Sequence, residues 1–133
     1  MSEFSAAIGL CQLNRYNEIF EKHMSVARMY LKIFKDNSTV KFQPGWGDEW
    51  ISSTAIITFS DPKCKAKALN RLRIMNIPFR DWWEDGCHKQ QAFSKYDTGS
   101  LKNTKSISKK TLGIPFHKSM TIENIESIYK SCI

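Results

Sequence analysis

The feature that most constrains the fold of this chain is the apolar periodicity of its first quarter. Between Ser2 and Phe34, the residues Leu13, Tyr16, Phe20, Met24, Ala27, Leu31 and Phe34 recur three or four positions apart. That repeat stacks side chains on one face of an α-helix. Ser2 stands where it can cap the first turn, and Glu3 puts a carboxylate where the helix dipole favours one. Gly9 weakens the helix locally but lets another backbone approach closely. At ~1.5 Å per residue such a helix runs about 50 Å. A chain of 133 residues leaves too little to cover that length. The expectation is one continuous helix whose stripe is only partly buried by the rest of the chain, with the remainder packed on something else.

Downstream the pattern changes. Asp36-Asn37-Ser38-Thr39 ends the helix, and Gln43-Pro44-Gly45-Trp46-Gly47-Asp48 reads as a turn-rich loop. Trp50 to Phe59 alternates as a strand does, with Ile51, Ala55, Ile57 and Phe59 on one face and Ser52, Thr54 and Thr58 on the other. Asp61-Pro62 starts a helix that runs through Ala68, Leu69, Leu72 and Met75 and stops at Asn76. Ile77-Pro78-Phe79-Arg80 is a short strand that Pro78 confines to an edge. A polar segment, Ser94 to Lys110, leads through a loop into a helix. Leu112 to Phe116 is extended, and Thr121 caps a last helix that buries Ile122, Ile125, Ile128, Tyr129 and Cys132. The order helix, strand, helix, strand, helix, strand, helix predicts an α+β fold: a long N-terminal helix, then a small sheet with helices packed on one face.

Composition narrows the function classes. No apolar run approaches the ~20 residues that span a bilayer, and no signal peptide opens the chain, so a cytoplasmic location is the default. Cys11, Cys64, Cys87 and Cys132 are scattered, without a Cys-x-x-Cys pair, which favours free thiols over a zinc site. The net charge of +7 concentrates at Lys63, Lys65, Lys67, Arg71 and Arg73 and again at Lys102, Lys105, Lys109 and Lys110. A solvated helix face and a basic loop account for this. A free-standing basic α+β module binding nucleic acid or a protein partner is the competing reading.

The densest chemistry lies in Arg80-Asp81-Trp82-Trp83-Glu84-Asp85-Gly86-Cys87-His88. Arginine offers a planar fork of donors that matches a phosphate. A neutral histidine donates to a phosphate or sugar oxygen. A tryptophan face stacks on a base or sugar, although in extended backbone only one of Trp82 and Trp83 faces a ligand. A purely structural reading pairs Arg80 with Asp81 or Glu84 and buries one tryptophan in the core.

Taken in order, several segments resemble the C-terminal part of the nucleotide-sugar aminotransferases of the DegT/DnrJ/StrS family. They are Met1-Ser2-Glu3-Phe4-x-Ala6-Ala7-x-Gly9-Leu10-x-x-Leu13, then Arg15-Tyr16 and Arg28-x-Tyr30, then Asp61-Pro62 through Leu69-x-x-Leu72 to Ile77-Pro78-x-Arg80-x-x-Trp83, Gly86-Cys87-His88 and Phe93, and finally Ile114-Pro115-Phe116-His117 through Met120-Thr121, Ile125 and Ile128. The middle segments are similar to members acting on dTDP-linked 4-keto-6-deoxy sugars. The resemblance implies a transaminase that uses pyridoxal phosphate (PLP) to pass an amino group, commonly from glutamate, to a nucleotide-linked keto-sugar, as a homodimer, for surface polysaccharide or glycoside synthesis. It implies that residues 1–35 are the long linking helix, that 36–133 are the small C-terminal domain, and that the large PLP-binding domain is absent from this stretch. Arg80, Trp83 and His88 are then the substrate-binding residues. No lysine here, Lys89 included, stands in the context of the Schiff-base lysine, so no catalytic residue, no PLP and no activity are expected in this chain alone. A truncated or split gene product, or an excised small domain, fits that picture.

Overall fold

The computed structural model describes residues 1–81, 86–96 and 99–133. The first helical stretch is two helices: α1, Glu3–Asn14, and α2, Tyr16–Ile33. Ser2 caps α1 as expected, its Oγ accepting from the Ser5 amide at 3.2 Å. The predicted single helix fails at Arg15, which holds φ −104° and ψ 7° and donates its amide back to the carbonyls of Gln12 and Leu13. Asn14, whose side chain competes for backbone groups, precedes the break.

The two helices differ in what they bury. α1 buries no residue, and Leu13 and Tyr16 of the expected stripe are exposed. α2 buries Met24, Val26, Ala27 and Tyr30, with Phe34 just beyond it. The working row is Val26, Tyr30 and Phe34, spaced by four, with Ala27 beside it. A stripe drawn from Leu13 missed Val26 and Tyr30. Tyr30 is the hub of an aromatic cluster with Phe34, Phe42, Trp46 and Phe116, ring centroids 6.0–6.5 Å away. Its hydroxyl donates to the Pro115 carbonyl, and burial raises its pKa well above the usual tyrosine value.

Three antiparallel strands form one sheet in the order β1-β2-β3, with β1 Val40–Phe42, β2 Ala55–Phe59 and β3 Thr111–Ile114. β1 is only three residues long, too short for its alternation to register before the turn that follows. The strand expected from Trp50 begins instead at Ala55, because Ser52 is drawn into the preceding turn, accepting from Trp46 Nε1 and donating to the Thr54 carbonyl. Ala55, Ile57, Phe59, Leu112 and Ile114 point into the core against α2, α3 (Pro62–Ile74) and α5 (Ile122–Cys132). Each such buried aliphatic side chain contributes about 1.5–3 kcal/mol.

Asp61 caps α3, accepting from the amides of Lys63 at 2.7 Å and Cys64 at 3.0 Å, and Asn76 leaves it at φ +54°. Two expectations for this helix reverse: Met75 is exposed, while Lys65, read as part of a solvated basic face, is buried. The strand expected at Ile77–Arg80 reduces to one bridge, Arg80 to Gly113, on the outer edge of β3. In α5, Thr121 and Asn124 close a capping box. Ile122 in its first turn is exposed rather than buried, and Ser131 joins Ile125, Ile128 and Cys132 on the buried side. The fold is α+β, with α1, α2, β1, β2, α3, α4, β3 and α5 in chain order, α4 being Lys102–Ser108. The predicted strict alternation of helix and strand is replaced by that order.

Candidate functional site

Side chains alternate across a strand, so Ile56 leaves β2 on the face opposite Ala55 and Ile57. Thr111 and Gly113 leave β3 on that same face, since Gly113 is registered with Ile56 and Thr111 with Thr58. Here, away from the core, a cavity of about 620 Å³ opens. Its floor is Ile56 and Thr111, one wall is α4 and the residue before it (Leu101, Asn103, Thr104, Ile107 and Ser108), and the other is Gly86, Cys87 and His88. Gly86 sits at φ +83°, and a Cβ there would come within 2.8 Å of the His88 ring, so only glycine lets the chain turn this tightly behind the imidazole.

His88 contributes the polar handle. Both ring nitrogens are shielded from solvent, and neither has a hydrogen-bond partner among the described residues. A shielded imidazole without partners is a costly arrangement that a ligand can relieve. Among the described residues no charged side chain lines this cavity.

Arg80 stands elsewhere. Its amide donates to the Gly113 carbonyl at 2.9 Å and its carbonyl accepts from the Gly113 amide at 2.8 Å. A Cβ on Gly113 would lie 3.1 Å from the Arg80 Cβ, so glycine permits the close approach. The exposed Arg80 side chain lines a separate groove with Pro78, Phe79, Gly113, Ile114 and Pro115. Arg80 forms no ion pair among the described residues, and Asp81, its expected structural partner, pairs instead with Lys65 at 2.6 Å. Trp83, with Trp82, Glu84 and Asp85, lies outside the described residues.

The helix expected of the polar segment Ser94 to Lys110 is α4, but sequence reasoning took its lysines as a basic patch and did not single out its cavity face. The signal was present: Leu101, Thr104, Ile107 and Ser108 fall at helical spacing between the lysines. Among the described residues no group of three His, Cys, Asp or Glu side chains is placed to hold a metal ion. Among the described residues no helix is long and apolar enough to cross a membrane. All four cysteines are free. Among the described residues the cavity contains neither a lysine to form a Schiff base nor a carboxylate to pair a pyridine nitrogen. The single buried lysine among the described residues, Lys65, is committed to Asp81. The described lining of this cavity therefore does not fit PLP by itself.

Comparison with known proteins agrees with this architecture. The fold is similar to that of a Bacillus cereus ATCC 10987 protein assigned as a PLP-dependent aminotransferase (TM-score 0.88, 22% identity, covering 99% of this chain and 36% of that one). It is similar to Helicobacter pylori PseC, an aminotransferase of pseudaminic acid biosynthesis (TM-score 0.79, 21% identity, 99% and 36%). It is also similar to the E. coli GDP-4-keto-6-deoxy-D-mannose-3-dehydratase, solved with bound hydrated PLP (TM-score 0.77, 18% identity, 97% and 34%). The chain thus spans about a third of the length of these structures. No functionally curated protein matches it by sequence. Residues 1–132 match the model of the DegT/DnrJ/EryC1/StrS aminotransferase family. With the sheet, the helices and nearly the whole length accounted for, the chain belongs to that family.

Proposed function

We propose that this chain is the C-terminal part of a PLP-dependent aminotransferase that converts a nucleotide-linked keto-sugar to an amino sugar for surface polysaccharide or glycoside synthesis. In this reading residues 1–35 link to a large PLP-binding domain, residues 36–133 form the small domain, and Arg80, Trp83 and His88 contact the nucleotide-sugar. Glutamate is the amino donor, the enzyme is a cytoplasmic homodimer, and the isolated chain binds no PLP and is inactive. The four free cysteines suit a reducing compartment.

One observation supports the substrate above the others. Thr111 lines the uncharged cavity of His88, and Gly113, two residues along β3 on the same face, lines the groove of Arg80. At about 3.4 Å per residue the two sites meet on one strand about 7 Å apart. That is roughly the reach from a sugar ring to the distal phosphate of the diphosphate it carries. The neutral cavity, with apolar walls and one imidazole, suits the ring, and the guanidinium, bonding the phosphate with its fork of donors, suits the diphosphate.

PLP, bound in the large domain, supplies the electron sink for amino transfer. The residues of this chain bind and orient the substrate and exclude water from the ring. The test is direct. Titrating dTDP-glucose and UDP-glucose into the labelled chain should shift the resonances of His88, Arg80 and the α4 wall together. Unmoved resonances at both sites would overturn the assignment. In the full-length polypeptide, glutamate-dependent amination of a nucleotide-linked 4-keto-sugar is expected, and loss of the sugar hydroxyl instead would identify a dehydratase.

A further inference from the structure

Lys65 is an unusual residue in this molecule. Its neighbours on α3, Lys63 and Lys67, are exposed, whereas Lys65 is 4% exposed. Its ammonium donates to Asp81 Oδ1 at 2.6 Å and to the Ser108 carbonyl at 3.2 Å. Asp81 is itself only 17% exposed. A buried pair of this kind is weak evidence for stability, since removing the ions from water costs about what their attraction returns. Its position calls for another account. Asp81 follows Arg80, which lines the neighbouring groove. Ser108 closes α4, one wall of the His88 cavity.

We infer that Lys65 is a positioning residue: one ammonium, anchored on α3, ties the α4 wall of the His88 cavity to the stem of Arg80. The ammonium suits that task because it has three donors on one atom and no acceptor. One donor meets a carboxylate from the Arg80 side and another meets a backbone carbonyl from α4, so the Arg80 stem and α4 do not part without breaking a charge-assisted bond. Substrate does not touch Lys65. It acts through the groups that do, and its effect on ligand binding rests on the function proposed above.

The experiment separates the two ideas. Lys65→Met with Asp81→Asn removes both charges at nearly constant volume and leaves no orphaned carboxylate. Amide exchange at Arg80 and in residues 102–108 should quicken by roughly tenfold, while amides of α5 keep their protection. Unchanged exchange at both places, or equal acceleration in α5, would overturn the inference. Should the double variant not fold, Asp81→Asn alone is read in the same way. With dTDP-glucose as probe, the variant should bind about tenfold more weakly than the parent chain. If the parent chain binds no dTDP-glucose, the proposed function fails, and the exchange pattern still decides the role of Lys65.

Discussion

Replacing Gly47 with alanine puts two separable strains on one position. Gly47 lies at φ +79°, and a Cβ there would sit 2.9 Å from Leu31 Cδ1, 3.1 Å from Ala27 Cβ and 3.4 Å from the Ala27 carbonyl carbon. The leucine tip can swing aside. Ala27 cannot, being fully buried in α2. The left-handed conformation costs an L-residue about 1–2 kcal/mol, and overpacking costs about 1–3 kcal/mol more. Restricting the unfolded chain returns about 0.4–1 kcal/mol. A net loss of about 2–4 kcal/mol is expected. With a urea slope of about 2 kcal/mol per molar, the midpoint falls by about 1–2 M. The assay is urea unfolding followed by the fluorescence of Trp46, which is buried and stacked on Phe42 at 4.9 Å. Gly45→Ala is the internal comparison: φ is similar at +75°, but the added Cβ would meet the end of the Glu49 side chain at 2.8 Å and the Trp50 ring at 3.1 Å, both exposed side chains rather than a buried helix, so its loss should be smaller. A loss below about 0.5 kcal/mol for Gly47→Ala, or a larger one for Gly45→Ala, would refute the packing of this turn on α2. The consequence reaches the site, because the same turn follows Gln43 at the cavity mouth.

Three other outcomes follow from the same geometry. The Asp61 carboxyl is held below its ordinary 3.8, first by the Cys64 thiol and then by backbone amides, so its stabilisation is complete above that value and lost as pH falls from there through the depressed folded value. Asp61→Asn should flatten the acid limb of a melting-temperature profile, and an unaltered limb would contradict the cap. Burial pushes the Cys132 thiol up to about 12, so a disulfide reagent at neutral pH should modify exposed Cys11 and Cys87 at once and Cys132 only on unfolding, as mass mapping would show. In the proposed full-length enzyme Arg80→Ala should raise the nucleotide-sugar KM about ten- to a hundredfold by losing one charge-assisted contact of ~1.5–3 kcal/mol. His88→Ala should act in the same direction more mildly, and unchanged affinity in both with lowered thermal stability would make this region structural.

Much of the fold was legible because its signals are local. Ser2, Asp61-Pro62 and Thr121 announce helix starts by side chains that accept the first free amides, and Ala55, Ile57 and Phe59 alternate as a half-buried strand must. What escaped depends on distant partners. β1 is too short to show a period and exists because it pairs with β2. Lys65 looks like any lysine of a basic helix until Asp81 and Ser108 arrive from sixteen and forty-three residues away. The candidate site was half legible for the same reason: Arg80 and His88 stand out by chemistry, but only strand register shows that they line two adjoining cavities.

α1 argues its own case about what surrounds it. At about 100° per residue, Phe4, Ile8, Leu13 and Leu10 point to roughly 0°, 40°, 180° and 240° around the axis. All four are exposed. A helix apolar on every side belongs inside a body that encloses it, not on a surface with one face covered. Alone, a helix of 12 residues is also marginal in water. In the free chain, amide protons of Glu3–Asn14 should therefore exchange with little protection, while those of α2 facing the core persist. In the full-length polypeptide the same amides should become protected, because the proposed large domain closes over Phe4, Ile8, Leu10 and Leu13 together. Strong protection of α1 in the free chain, or none in the longer polypeptide, would show that this helix needs no enclosing partner and would remove the physical basis for reading residues 1–35 as a link to a larger domain.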